Sequence, residues 1–334
     1  NVGVGSYALN SNVTGDNNVA VGLNALTKNT NDNNTAIGHD AMKENTSGGG
    51  NTAVGNMSMT SNTTGSANSA FGKEALYSST TSMRNTAIGY YAMRAVTTGS
   101  NNTAIGKDAL MTNQTGNNNT ALGYRSLEVN TANNNTAVGY KALFKNTTGS
   151  GTAVGYHALS GNTTGAGNSA FGFDALQANT SGSNNHAFGN YALLHNTTGD
   201  GNVAMGIYSL KSNTSGGSNV AVGNYSLNLN ATGDNNTAIG FYALGKNTAS
   251  DGTAVGISAL KENTTGAQNT AVGANALEKN TTGNANTASG YNALNFNQTG
   301  HHNAATGYRA LKNNTTGSAN TAVGSSALEI NTTG

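Results

Sequence analysis

The chain repeats one short phrase from end to end, and the period of that repeat limits the possible folds more than any other feature. Each copy contains a glycine, here called the marker glycine, which occurs first at Gly5 and last at Gly324. These twenty glycines define nineteen spacings, fifteen of 17 residues and four of 16. Such a period is too short for a helix pair but matches one turn of a narrow β-solenoid. We therefore expect residues 1–334 to form one continuous all-β parallel β-solenoid.

The phrase itself indicates how a coil of about 17 residues would be built. A representative copy is NTAVGYKALFKNTTGSG, residues 135–151. Its apolar pairs are too brief for a helical stripe, and Asn, Thr and Gly are poor helix formers, so we expect strand, turn, strand, turn. The position before the marker glycine is a large apolar residue in eighteen coils, interrupted at Ser289 and Thr306, and is expected to be buried. The Leu position, which is Met in three coils, is likewise expected to be buried.

Small residues beside the large ones suggest that the strands have two apolar faces. Ala137 precedes Val138, and Ala142 precedes Leu143. Successive strand residues point to opposite faces, so one face can fill the coil interior while the other requires a partner. The expected partner is the chain itself, as a homotrimer or another lateral assembly.

The second glycine of the phrase, in NTTG, marks a corner. It is replaced in four coils, by Asp32, Ser82, Asn133 and Ser250. Because Asp and Asn tolerate a left-handed backbone, we predict a positive φ at this corner. Three of the replacements fall in 16-residue coils, so the corner is expected to absorb the deletion and leave the strands in register.

Composition excludes several classes of function. Charged residues make up 9% of the chain and the net charge is +1, which gives no field to attract nucleic acid or an anionic membrane. No apolar run is long enough to insert into a bilayer, and Cys, Pro and Trp are absent. No signal peptide is visible, and the chain starts and stops inside a repeat. We expect a segment of a longer fibre protein, without a separate globular domain.

The repeats resemble a known family. The stretches NTAVGYKAL (135–143), NTAIGKDAL (102–110) and NTAIGYYAM (85–93) are similar to the YadA-like head repeats of trimeric autotransporter adhesins and to NTAVGYxAL repeats in phage and bacterial fibre proteins. The resemblance covers all twenty coils and implies a left-handed parallel β-roll, usually homotrimeric, on a cell or virion surface. The coils here are longer than those of the adhesin heads, because they contain the additional NTTG corner.

Aromatic residues are the most suggestive candidates for a binding site. Twelve of the thirteen tyrosines occupy the two positions after the marker glycine. They form runs in stacked coils that are candidates for contacting a surface glycan or a host receptor: Tyr124, Tyr140, Tyr156, Phe173, Tyr191, Tyr208, Tyr225 and Tyr242. The alternative is that the rings simply stack on one another at the strand edge.

Other polar residues favour structural roles. The asparagine of NTTG, present in eighteen coils, is expected to hydrogen-bond between coils, although the same pattern fits N-glycosylation. Lys261 and Glu262 are expected to pair with Glu278 and Lys279 of the next coil. His301 and His302 lack further ligands for a metal, no carboxylates recur in the way a glycosidase requires, and no phosphate loop is present. We expect no cofactor and no catalytic activity.

The sequence therefore predicts a structural and adhesive segment of an extracellular fibre, such as a surface filament, an adhesin head or stalk, or a tail-fibre shaft. The alternative is an ice-binding solenoid, based on threonine ladders such as Thr147, Thr163 and Thr197; against it, the two threonines of NTT should face opposite sides. A β-helical polysaccharide-acting enzyme is a third hypothesis. These are separated by thermal hysteresis and glycan depolymerisation assays.

Overall fold

The computed structural model describes all residues from Asn1 to Gly334 and contains strands and turns but no helix. The chain divides into two compact units, Asn1–Thr164 and Gly165–Gly334. Each unit is a parallel β-solenoid of ten coils, with one short strand per coil. The predicted all-β solenoid with a 17-residue period is confirmed.

The strands of the first unit pair in chain order, each parallel to the next. The register joins equivalent positions of the repeat, so that Ala137 lies beside Ala153. The ten strands are β1 (Val2–Val4), β2 (Val19–Val21), β3 (Thr35–Ile37), β4 (Thr52–Val54), β5 (Ser69–Phe71), β6 (Thr86–Ile88), β7 (Thr103–Ile105), β8 (Thr120–Leu122), β9 (Thr136–Val138) and β10 (Gly151–Val154).

The second unit repeats this arrangement, again with parallel pairing in chain order. Its register passes unbroken through the 16-residue coil, where Ala238 pairs with Ala254. Its strands are β11 (Asn168–Phe171), β12 (His186–Phe188), β13 (Val203–Met205), β14 (Val220–Val222), β15 (Thr237–Ile239), β16 (Thr253–Val255), β17 (Thr270–Val272), β18 (Thr287–Ser289), β19 (Ala304–Thr306) and β20 (Thr321–Val323).

Most coils bury two alanines and one leucine, with Ser in place of the second alanine in four coils and Met in place of leucine in three. The middle strand residue, such as Ala137, points inward and is inaccessible to solvent, as are Ala142 and Leu143 of the following segment. The small strand residue leaves room for the leucine in a narrow interior. Burial of the Leu position, predicted from its chemical uniformity, is confirmed.

The prediction of a second strand at the Ala-Leu segment is wrong. The backbone there alternates in handedness, with φ of 51° at Lys141 and 50° at Leu143. Such values are uncommon for a bulky residue and carry a conformational cost. Two bonds to neighbouring coils offset it, since Lys141 donates to the carbonyl of Tyr124 and Leu143 to that of Ala158, both at 3.0 Å. Sequence patterns reveal apolar spacing but not this alternation of backbone handedness.

The marker glycine is required for both its conformation and its small size. Gly223 has a φ of 127°, a region that side chains rarely enter. A Cβ there would lie 2.7 Å from the carbonyl carbon and oxygen of Gly240 in the next coil. Any side chain would force the stacked coils apart.

The corner glycine of NTTG does not have the predicted positive φ. Residues with positive φ include neither Gly182 nor its equivalents, so that prediction is wrong. The constraint is space, because a Cβ on Gly182 would lie 2.5 Å from both Asn179 Oδ1 and the Gly199 carbonyl oxygen. Crowding by its own coil and by the next coil therefore favours glycine at this position.

Three of the four shortened coils also differ by one residue from the predicted alignment. Asn113 Nδ2 donates to the corner carbonyl three residues later, whereas Asn130 Nδ2 donates to Ala132, two residues later. Asn31 and Ala249 hold the same place in their coils. The carbonyls of Asn31, Ala132 and Ala249 therefore replace the glycine carbonyl, instead of those of Asp32, Asn133 and Ser250. The corner absorbs the deletion, as predicted.

Candidate functional site

The aromatic column of the first unit is a stacked row on the surface of consecutive coils. The Tyr124 and Tyr140 ring centroids lie 5.4 Å apart and those of Tyr140 and Tyr156 lie 5.0 Å apart, with interplanar angles of 21° and 8°. Each residue directly follows a marker glycine, so the coil spacing sets the ring spacing. The three rings remain partly exposed to solvent.

The second unit contains a corresponding column one position further along the repeat. Tyr191 lies 5.0 Å from Tyr208, Tyr208 lies 5.2 Å from Tyr225, and Tyr225 lies 4.8 Å from Tyr242. Phe173 contacts the edge of Tyr191 at 5.3 Å. The structure thus places the candidate site residues in rows within their units.

Ring orientation determines what these rows can offer to a ligand. The self-stacking predicted as the simpler interpretation is present, and it turns ring faces toward neighbouring rings. Ring edges and phenol hydroxyls are left for solvent or a ligand. Glycan contact stays a prediction, and it would use hydroxyls and edges more than open ring faces.

Basic side chains are interleaved with the first row, a feature that the sequence reasoning missed. Lys107 Nζ lies 5.6 Å from the Tyr90 ring and 5.8 Å from the Tyr124 ring. Lys141 Nζ lies 5.2 Å from the Tyr140 ring. These are cation–π distances. This interleaving is visible in the sequence, because Lys73, Tyr90 and Lys107 directly follow the marker glycines of three consecutive coils.

Ion pairs follow a different pattern from the one predicted. Glu262 accepts a hydrogen bond from Lys246 Nζ of the preceding coil at 2.5 Å, which lowers the pKa of Glu262. Lys279 pairs with its neighbour Glu278 at 3.0 Å, and that bond raises the pKa of Lys279. The predicted pairs Lys261–Glu278 and Glu262–Lys279 do not form. Glu262 pairs instead with Lys246 of the preceding coil and with its neighbour Lys261, and Glu278 pairs with its neighbour Lys279.

The asparagine of NTTG forms a buried ladder, as predicted. Asn196 Nδ2 donates to Asn179 Oδ1 at 2.9 Å and to the Gly199 carbonyl at 3.0 Å. The side chains of Asn146, Asn162, Asn179 and Asn196 are inaccessible to solvent. A nitrogen that is buried and donates twice is not free to carry a glycan. Glycosylation at these positions is therefore incompatible with the folded coil.

A second asparagine ladder, at the start of NTAVG, was not predicted. Asn202 accepts a bond from the backbone N–H of Asn219 at 3.0 Å, and its Nδ2 donates to the Gly216 carbonyl at 2.8 Å. Together the two ladders satisfy backbone groups that the corner would otherwise leave without partners inside the solenoid.

The histidines do not assemble into a metal site. His301 Nδ1 accepts a hydrogen bond from the backbone N–H of Asn284 at 3.0 Å, and its ring centroid lies 6.4 Å from that of His302. No group of three or more His, Asp or Glu side chains in the chain is placed to hold a metal ion.

The outward face of the strands, here called the strand face, contains the two residues on either side of the inward middle residue of every strand, such as Thr136 and Val138 around Ala137. The prediction that the residue before the marker glycine is buried is wrong for the single chain, because Ile105 is 37% exposed and Ile239 is 42% exposed. The inward residue is the alanine between. Large apolar side chains are therefore aligned on the surface of each unit.

Comparison with known proteins does not connect the chain to a named group: no family model matches it, and no curated protein is similar to it. The structure contains no helix with the length and hydrophobicity to cross a membrane.

Proposed function

We propose that the chain is a structural and adhesive segment of an extracellular fibre on a cell or virion surface. In this proposal it is a homotrimer of left-handed β-rolls, as the resemblance to YadA-like head repeats implies. Its coils provide reach and repeated weak contacts with glycans or a receptor, and no catalytic step is involved.

The strand face supports this proposal more than any other feature. Its forty positions, two in each of the twenty strands, contain no Asp, Glu, Lys or Arg. Aligned Val, Ile, Leu, Phe and Met side chains form one of its two columns. The other column is mostly threonine. Aligned, charge-free surfaces of this kind are typical of interfaces, whose centres are depleted in charge. Two further copies of the chain would cover the strand face with the same chemistry.

Cysteine accessibility tests whether the strand face is covered, since the chain has no cysteine of its own. Ile239→Cys places a thiol on the strand face, and Ile257→Cys places one after a marker glycine, where the side chain is 58% exposed. We expect a maleimide to label Ile239→Cys much more slowly than Ile257→Cys in the native protein. Equal rates would contradict a covered strand face.

An ice-binding solenoid is the second candidate, and one observation favours it. Thr103 and Ile105 both point outward from the same strand, two residues apart, and Thr86 and Ile88 repeat the arrangement in the paired strand. A charge-free array of Thr and aliphatic residues could order water. The threonines of NTT, in contrast, donate hydroxyl hydrogen bonds to carbonyl oxygens of the next coil, as Thr197 does to the Thr214 carbonyl at 2.9 Å. Thermal hysteresis at micromolar protein would establish this function instead.

A further inference from the structure

We propose that one edge of the first unit binds anionic polysaccharides. This edge, here called the basic aromatic edge, is defined by Lys73, Tyr90, Lys107, Tyr124, Arg125, Tyr140 and Lys141. The inference extends the proposed adhesive function by naming a ligand class, and it rests on that function for its biological setting.

The charge of the chain is unevenly distributed. Residues 73–145 contain seven Lys or Arg residues and three Asp or Glu residues, whereas the rest of the chain contains eight and eleven. The near-neutral total therefore conceals one basic stretch, and this stretch coincides with the aromatic row of the first unit. Four of the seven basic residues lie on the basic aromatic edge and three carboxylates lie beside them, so the edge has a small positive charge, which favours an anion.

The basic groups lie further out than the acidic groups beside them. Lys73, Lys107 and Arg125 have side chains that are 31 to 54% exposed. Their carboxylate neighbours Glu74, Asp108 and Glu128 are only 9 to 14% exposed. Lys141 has no carboxylate within ion-pair distance and lies against Tyr140 and Phe144. An approaching ligand therefore meets cations first.

The tyrosines add hydrogen-bonding groups at the same spacing. Tyr124 and Tyr140 stack 5.4 Å apart, which leaves their hydroxyls and ring edges in a row beside Lys107 and Lys141. A linear glycan with a carboxylate or sulfate on its sugars presents anions and hydroxyl groups with a short regular repeat. Many weak contacts along such a chain would add.

A glycan fits this edge better than single-stranded nucleic acid does. Proteins that bind single strands stack bases on open aromatic faces. Here Tyr140 has neighbouring rings at 5.4 and 5.0 Å, and Tyr90 has Lys73 and Lys107 near its ring at 5.7 and 5.6 Å. Hydroxyls, edges and cations remain accessible, and these match a sulfated or uronic acid chain.

The test measures binding of the full chain to alginate, dextran sulfate, uncharged dextran and a single-stranded oligonucleotide by calorimetry at low and high salt. We expect binding to the two anionic glycans, weakened by salt, and no binding to uncharged dextran. Alginate and dextran sulfate distinguish carboxylate from sulfate recognition. Oligonucleotide binding at least as tight as that of both glycans would overturn the proposal.

Two charge-matched variants locate the site. K107Q/K141Q removes two cations of the basic aromatic edge and should raise Kd roughly tenfold. K211Q/K312Q removes two cations from the second unit and should leave Kd within about twofold. Equal weakening by both variants, or no binding by the parent chain, would refute the basic aromatic edge as the site. Binding to uncharged dextran alone would refute the ligand class and leave the fibre proposal standing.

Discussion

Asparagine is the residue that holds successive coils together in the interior. In the NTTG ladder, an amide can donate to one neighbouring coil and accept from the other, as Asn196 does when it accepts from Asn213 at 2.7 Å and donates to Asn179. Burial makes each amide costly to leave without a partner. The ladder is interrupted where Ser79 and Val96 replace asparagine, and the two interruptions show what the position tolerates.

Substitutions of Asn196 distinguish a requirement for a hydrogen-bond donor from a requirement for side-chain volume. Asn196→Asp keeps the shape but directs a buried carboxylate at the Asn179 and Gly199 oxygens, so it should destabilise by more than about 3 kcal/mol. Asn196→Val, which copies Val96, should cost about 1–3 kcal/mol. Urea unfolding measures both. Equal losses for the two variants would show that the amide does not donate as described.

Restoring the ladder at Ser79 should stabilise the chain. Asn62 Oδ1 is buried and has no hydrogen-bond partner, while Ser79 and Ser82 bond to each other at 2.6 Å. Ser79→Asn combined with Ser82→Gly supplies a donor and removes the crowding Cβ, and should add about 1 kcal/mol in urea unfolding. Ser79→Asn alone is the control and should gain less, since Ser82 keeps its side chain. A double variant no more stable than the parent would count against this view of the corner.

At the scale of the coil, the period, the strand and the buried Leu position could be predicted from the sequence, because each depends on residue type at fixed spacing. The positive φ values at Lys141 and Leu143 could not be predicted, since those residue types do not favour that conformation on their own. The sequence also did not separate crowding from positive φ at Gly182, because both conditions select glycine. The aromatic rows were visible in sequence, but which ring surface stays open was decided by packing.

The bond between Lys246 and Glu262 connects two coils and should make stability depend on pH. Since Lys246 lowers the pKa of Glu262 in the folded state, its contribution is present above the ordinary glutamate pKa and is lost as pH falls through the lowered value. Glu262→Gln should therefore be less stable than the parent at pH 7, by less than about 1 kcal/mol in urea unfolding, and should match it once the pH is below the lowered pKa of Glu262. A difference that does not change with pH would contradict the pairing.

Ser289 and Thr306 interrupt the large apolar column of the strand face and lie in register with Val272. Replacing both with Val should raise the melting temperature if another surface covers them, because the added methyl groups would leave water. Thr265→Val, at an exposed corner, is the matched control and should have no such effect. Scanning calorimetry that finds no increase for the double variant would indicate an uncovered strand face.

At the scale of the whole molecule, the two units have the same construction, and both present a strand face without charged residues. The interior of a solenoid coil is narrow and holds, in most coils, two alanines and a leucine. The strand face is therefore a large fraction of the surface that a coil can bury. A single soluble chain would leave both columns of that face in water. The proposed lateral assembly with copies of the chain would cover both columns and would provide the stiffness that a fibre requires.

Solution mass tests this account most directly. Light scattering on the purified chain should give about three times the chain mass of 33.5 kDa. Ile239→Asp, which places a charge in the middle of the strand face, should reduce that mass to that of a single chain. A stable, folded monomer of the parent chain at micromolar concentration would contradict the account.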